Sequence, residues 1–126
     1  MARPHRRPGR RAARYGVPVE SWDVLALGLP EGRAPTVLHS SDGRAIALRL
    51  GPGEAIGDHQ VRERAWVTVV EGEVEITCGD ERLAASAGTL VMFEPGERHS
   101  VSSASGARLL LLLAPWPAPG HYPDPG

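Results

Sequence analysis

The chain has 126 residues, 14 basic against 15 acidic side chains for a formal net charge of −1, and 41% apolar residues. That is one domain's worth of sequence, long enough for a single core and short for two. It excludes a membrane-spanning helix, because the longest apolar run, LLLLLA, is only strand-sized.

The opening stretch, MARPHRRPGRRAAR, holds six arginines and no acid, which leaves the remainder of the chain acidic. Lysine is missing throughout, a pattern that reads as coding bias and not as chemistry. The stretch has no apolar segment of the secretory kind, so a cytoplasmic protein is the expectation. Residues 1–16 read as a disordered arm, held open by Pro4, Pro8 and Gly9 and with nothing to bury. Contact of its arginines with phosphates is the functional counter-reading. No aromatic is interleaved to stack on bases, which argues against a nucleic-acid partner.

From Val17 the pattern becomes that of strands. DVLALGL (23–29) and TVLHSS (36–41) are short apolar runs, the second closed by Ser41-Asp42-Gly43. RAIALRL (44–50) alternates, with Ile46, Leu48 and Leu50 on one face, and Gly51-Pro52-Gly53 breaks it. Trp66–Val70 and Glu73–Cys78, joined through Glu71-Gly72, predict a hairpin with one wet and one dry face. Gly79-Asp80 makes the next turn, and residues 89–93, 99–103 and 108–113 supply three further strands. LLLLL lacks alternation, which predicts a strand buried on both faces. Residues 115–126 form a proline-rich tail that cannot join a central strand, with Trp116 as its one candidate anchor. Short strands separated by turn chemistry, with no amphipathic helix, predict an all-β antiparallel sandwich or closed barrel over residues 17–114. The lone cysteine, Cys78, excludes a disulfide within one chain and reads as a small apolar strand residue, not a nucleophile.

Two glycine frames stand on this pattern. In the first, Gly53 is followed after five residues by His59, then Val61, Ala65 and Gly72; in the second, Gly88 precedes Glu94, Pro95, Gly96, His99 and Ser103. At these spacings, between about Arg44 and Leu113, the chain resembles the cupin family, small antiparallel jelly-roll β-barrels. The family's first motif carries a second histidine where Val61 stands and a glutamate where Ala65 stands. Its second motif carries a proline where Glu94 stands and an asparagine where Ser103 stands.

In metal-binding cupins the three histidines and the glutamate point inward and bind iron, manganese, zinc or a similar divalent ion, nickel included. This chain keeps only His59 and His99 of that set, because Val61 and Ala65 have no donor. Glu63, in the turn between two strands, is the one residue able to complete a two-histidine, one-carboxylate site by turning inward. The opposing expectation is that Arg62 and Arg64 hold Glu63 as a solvated salt-bridge partner. His39 and His121 are further donors that nothing in the sequence brings to His59.

Without a metal, the two histidines remain as polar groups in a pocket whose walls are Val61, Val67, Val69 and, if it faces inward, Phe93. The leading expectation is therefore a small single-domain cupin that binds a small organic molecule in the barrel without strong metal dependence. The alternative is a metal-dependent dioxygenase or isomerase using His59, Glu63 and His99. Trp66 has the opposite parity from Val67, which suits packing against another sheet or subunit, and the resemblance implies a homodimer through that outer face.

Overall fold

The computed structural model describes residues 10–12, 18–30 and 32–121. Ten strands follow in chain order: β1 (Arg10–Ala12), β2 (Pro18–Glu20), β3 (Thr36–Ser40), β4 (Arg44–Leu50), β5 (Ala55–His59), β6 (Arg64–Cys78), β7 (Glu81–Ser86), β8 (Leu90–Phe93), β9 (His99–Ser102) and β10 (Ala107–Ala114). No helix occurs among the described residues, and every pairing is antiparallel. β3 to β10 form one curled sheet in the order β3-β4-β10-β6-β9-β5, with β7 and β8 also pairing to β6. The all-β antiparallel architecture expected from the strand pattern, and the jelly-roll barrel implied by the resemblance, are the ones observed.

β6 organises the molecule. Its first half lies between β10 and β8, and its second half between β7 and β9. The residues read as two hairpin arms are therefore one strand of 15 residues. Gly72, expected to turn the chain back, instead bends it onward at φ 84°. The bend is enforced sterically: a Cβ at Gly72 would overlap the Gly106 carbonyl oxygen and lie 2.9 Å from Ala107 Cα. Ser103 secures the same corner, its Oγ donating to the Glu73 carbonyl (2.6 Å) and accepting from the Gly106 N–H (2.9 Å). The true hairpin is β6–β7, closed by Gly79-Asp80 with Gly79 at φ 61°.

Along each half of β6 burial alternates, with Ala65, Val67 and Val69 buried before the bend and Val74 and Ile76, on the opposite parity, after it. They pack with Leu48, Leu50, Phe93, Val101, Leu109 and Leu113 into one core. β10 departs from its expected burial on both faces. Leu109 and Leu113 are buried, whereas Leu112 is 44% exposed. Five consecutive leucines satisfy either parity, so sequence alone cannot reveal that one face looks outward.

Residues 23–29 do not form the expected strand. The Asp23 carboxylate accepts from the Leu25 N–H and its carbonyl accepts from Ala26 and Leu27, which curls the chain into a turn. Arg108 Nη1 then holds that turn through the Val24 and Leu27 carbonyls. Two strands of the main sheet escaped the sequence reading, β5 and β7, one glycine-bearing and irregular and the other rich in alanine and charge. Within the arm expected to be disordered, Arg10–Ala12 pair with Pro18–Glu20, and its other residues lie outside the described ones.

The tail lies on the barrel as far as His121. The Trp116 N–H donates to the Asp42 carbonyl, the Arg44 guanidinium sits 4.4 Å from the Trp116 ring centroid, and Ala118 is buried.

Candidate functional site

His59 and His99 come together through the sheet register. They are directly paired residues at one end of the β5–β9 ladder, and their ring centroids are 4.2 Å apart at 61°. A β-bulge between Ile56 and His59 inserts an extra residue into β5 just before His59. Bulges of this kind bend a strand and redirect a side chain next to functional sites.

Both rings are oriented by the same local device. His59 Nδ1 donates to the Gly57 carbonyl (2.8 Å) and His99 Nδ1 to the Glu97 carbonyl (3.1 Å), in each case two residues back. A carbonyl can only accept, so each Nδ1 carries the proton, and a neutral ring then presents a bare Nε2 lone pair. For His99 the neutral form is favoured. Burial holds its pKa below the ordinary 6.5, reinforced by His59 and opposed by the Glu97 carbonyl and the Glu97 and Asp58 charges. Phe93 stacks on the His99 ring at 3.7 Å and 5°.

The two rings border a pocket of about 330 Å³. Among the described residues its lining is aliphatic apart from His59, His99 and Arg33, and no carboxylate contributes to it. Arg33, Pro35 and Gly57 are the exposed lining residues, which puts the mouth on their side, while Leu48, Ala65, Val67 and Leu113 are buried at its base. Of the expected wall, His59, Val61, Val67 and His99 are present. Val69 and Phe93 are not. Val69 is fully buried in the sealed core, and Phe93 stands behind His99, not beside the cavity. Alternation identifies the face of a strand and not the height at which a cavity opens, so these two were placed on the correct side at the wrong depth. Ile46, Ile56 and Leu111 also line the pocket, and parity with Leu48 and Leu50 was the signal for Ile46, whereas the bulge in β5 and the leucine run in β10 left none for Ile56 and Leu111.

Glu63 is a correction. Its carboxylate is fully buried and faces the tail: Oε2 accepts from the Ala118 N–H (2.9 Å) and from His121 Nδ1 (2.7 Å). It is therefore neither the third ligand of a site with His59 and His99 nor a solvated partner of Arg62 and Arg64. Its Oε1 has no hydrogen-bond partner among the described residues. Among those residues no three His, Cys, Asp or Glu side chains gather closely enough to hold a metal ion. With Val61 and Ala65 in the other two positions, the residues present do not fit the three-histidine, one-glutamate set. Cys78 is half-buried, and burial pushes its thiol pKa up, with the Glu97 hydrogen bond and the Glu97 and Glu81 charges adding to the effect. That is the opposite of an activated nucleophile.

Residues 47–114, more than half of the chain, match the model of the cupin domain family, and the chain belongs to that family. No curated protein matches it. Among solved structures it is similar to a protein with a double-stranded β-helix domain from Klebsiella pneumoniae, with TM-score 0.71 and 21% identity over 78% of this chain and 91% of that one. An RmlC-like cupin protein from Desulfovibrio desulfuricans superposes with TM-score 0.69 and 20% identity, covering 77% and 97% of the two chains. A cupin superfamily protein from Desulfitobacterium hafniense gives TM-score 0.65 and 15% identity over 71% and 84%. At these identities the likeness is one of fold.

Proposed function

We propose that this protein is a small-molecule-binding cupin, a sensor, carrier or accessory protein whose barrel pocket takes a small, largely apolar organic molecule without strong dependence on a metal. The observation that carries this reading is the pocket itself. Aliphatic side chains enclose about 330 Å³ around two imidazoles, and the local backbone commits each Nδ1 and leaves each Nε2 bare. Pockets of a few hundred Å³ with apolar walls and a small number of fixed polar groups suit such ligands. At about 30 Å³ per water-sized group, the space admits roughly ten non-hydrogen atoms.

We further propose that the protein works as a homodimer joined through the outer face of the sheet. That face carries Leu90 at 61%, Met92 at 52% and Leu112 at 44% exposure. Met92 and Leu112 flank Trp66, each being its register partner on one side.

The test compares the purified protein with the His59→Ala/His99→Ala double variant by elemental analysis, and screens small organic molecules by thermal shift with and without chelator. The expected result is no near-stoichiometric transition metal in either protein, and ligand-induced stabilisation of the parent that chelator leaves unchanged. Stoichiometric metal in the parent that is lost in the double variant overturns the metal-independent reading.

A further inference from the structure

The pocket's polar groups differ in kind, and the difference restricts the ligand beyond small and apolar. Two are imidazoles that present lone pairs, and the third is the guanidinium of Arg33. Arg33 Nη1 donates to the Ala55 carbonyl (2.7 Å), which ties the guanidinium to the start of β5, the strand that also carries Ile56, Gly57 and His59. Among the described residues no carboxylate pairs with it, and no acidic residue lines the pocket. A guanidinium is always charged and offers a planar fork of donors. Here most of that fork remains free at the mouth of a cavity with low-dielectric walls.

We propose that the pocket binds a short monocarboxylic acid, with its carboxylate on Arg33 at the mouth and its aliphatic or small aromatic body against Ile46, Leu48, Ile56 and Leu111. This inference rests on the small-molecule reading above and names the ligand class for that site. Three observations narrow the class. An amine or other cation would meet the guanidinium with like charge and find no carboxylate among the described lining residues. A dicarboxylate would place its second charge among aliphatic side chains and neutral imidazole, where an unpaired charge is costly. A phosphate monoester carries close to two charges, and the lining supplies one fixed cation for them. A monoanion with an apolar body leaves neither charge nor apolar surface unmatched. A hydroxyl or other donor on that body has the His59 and His99 Nε2 atoms to receive it.

Hexanoate and hexanamide share size and shape and differ in charge, so they separate the two claims. Each is titrated into the full chain at neutral pH, with binding followed through the methyl NMR signals of Ile56 and Leu111. Hexanoate is expected to bind about tenfold more tightly than hexanamide, because the guanidinium meets an anionic acceptor instead of a neutral one. In Arg33→Gln the preference is expected to vanish, and in the parent it is expected to shrink at high salt. Arg33 is exposed, and an unchanged methyl NMR spectrum of the ligand-free variant verifies that it is folded. Equal affinities in the parent, or a preference that survives Arg33→Gln, overturn the carboxylate assignment and leave the pocket reading intact. If neither compound moves the Ile56 or Leu111 signals, the pocket reading falls and this inference falls with it.

Discussion

His99 is fixed by three contacts, the Phe93 ring, the His59 ring and the Glu97 carbonyl, and its burial decides its proton. Because burial lowers its pKa in the folded state, the unfolded chain binds a proton more readily than the folded one. The stability that neutral His99 supports is thus complete above its ordinary 6.5 and is lost as pH falls through the lower folded value. The expected outcome is that the parent loses more unfolding free energy than His99→Gln between about pH 7 and pH 5, measured by denaturant titration at each pH. Equal losses would remove His99 from the account. Both histidines were legible in the sequence because glycine spacing fixes their place on the strands. Glu63 was not, since its flanking arginines suggest solvent while its actual partners lie in the tail, Ala118 being 55 residues further on.

At the scale of elements, the tail and the β5–β6 turn depend on one buried carboxylate. Glu63 joins Ala118 and His121 to the barrel, and Trp116 is held between Arg44 and His121. Glu63→Ala removes the acceptor and leaves the buried Ala118 N–H without it, so it is expected to destabilise the protein by about 1–3 kcal/mol. Glu63→Gln retains an oxygen for the Ala118 N–H and is expected to cost less. Denaturant unfolding measures the order, and faster amide exchange at Ala118 in Glu63→Ala would trace the loss to the tail. Strand existence was readable where apolar residues alternate, as in β4, or run together between glycine turns, as in β8. It was unreadable in β5, where the bulge destroys alternation, and across Gly72, where the same glycine that suggests a turn permits a bend. The distinction rests on what approaches the glycine in space, and Gly106 is 34 residues away in the chain.

For the whole molecule, the family was legible because its signature consists of glycine frames, which the barrel geometry requires whether or not ligands are kept. Assembly belongs to this scale as well. The outer face around Trp66 joins three neighbouring strands, β8, β6 and β10, and a homodimer through it predicts a specific sensitivity. Met92→Glu/Leu112→Glu is expected to shift the protein to monomers in sedimentation analysis without loss of β-sheet circular dichroism, whereas a dimer that survives both charges excludes this face. The sheet order carries one more consequence. β10, the last of the described strands to be synthesised, lies in the middle of the sheet, between β4 and β6. While the ribosome is still making residues 107–114, β3 and β4 have no bridge to the rest of the sheet, and β6 has an open edge. Long-range pairing of this kind closes late and slowly. A nascent chain stalled short of β10 would leave an edge of β4 and an edge of β6 unpaired and open to its neighbours.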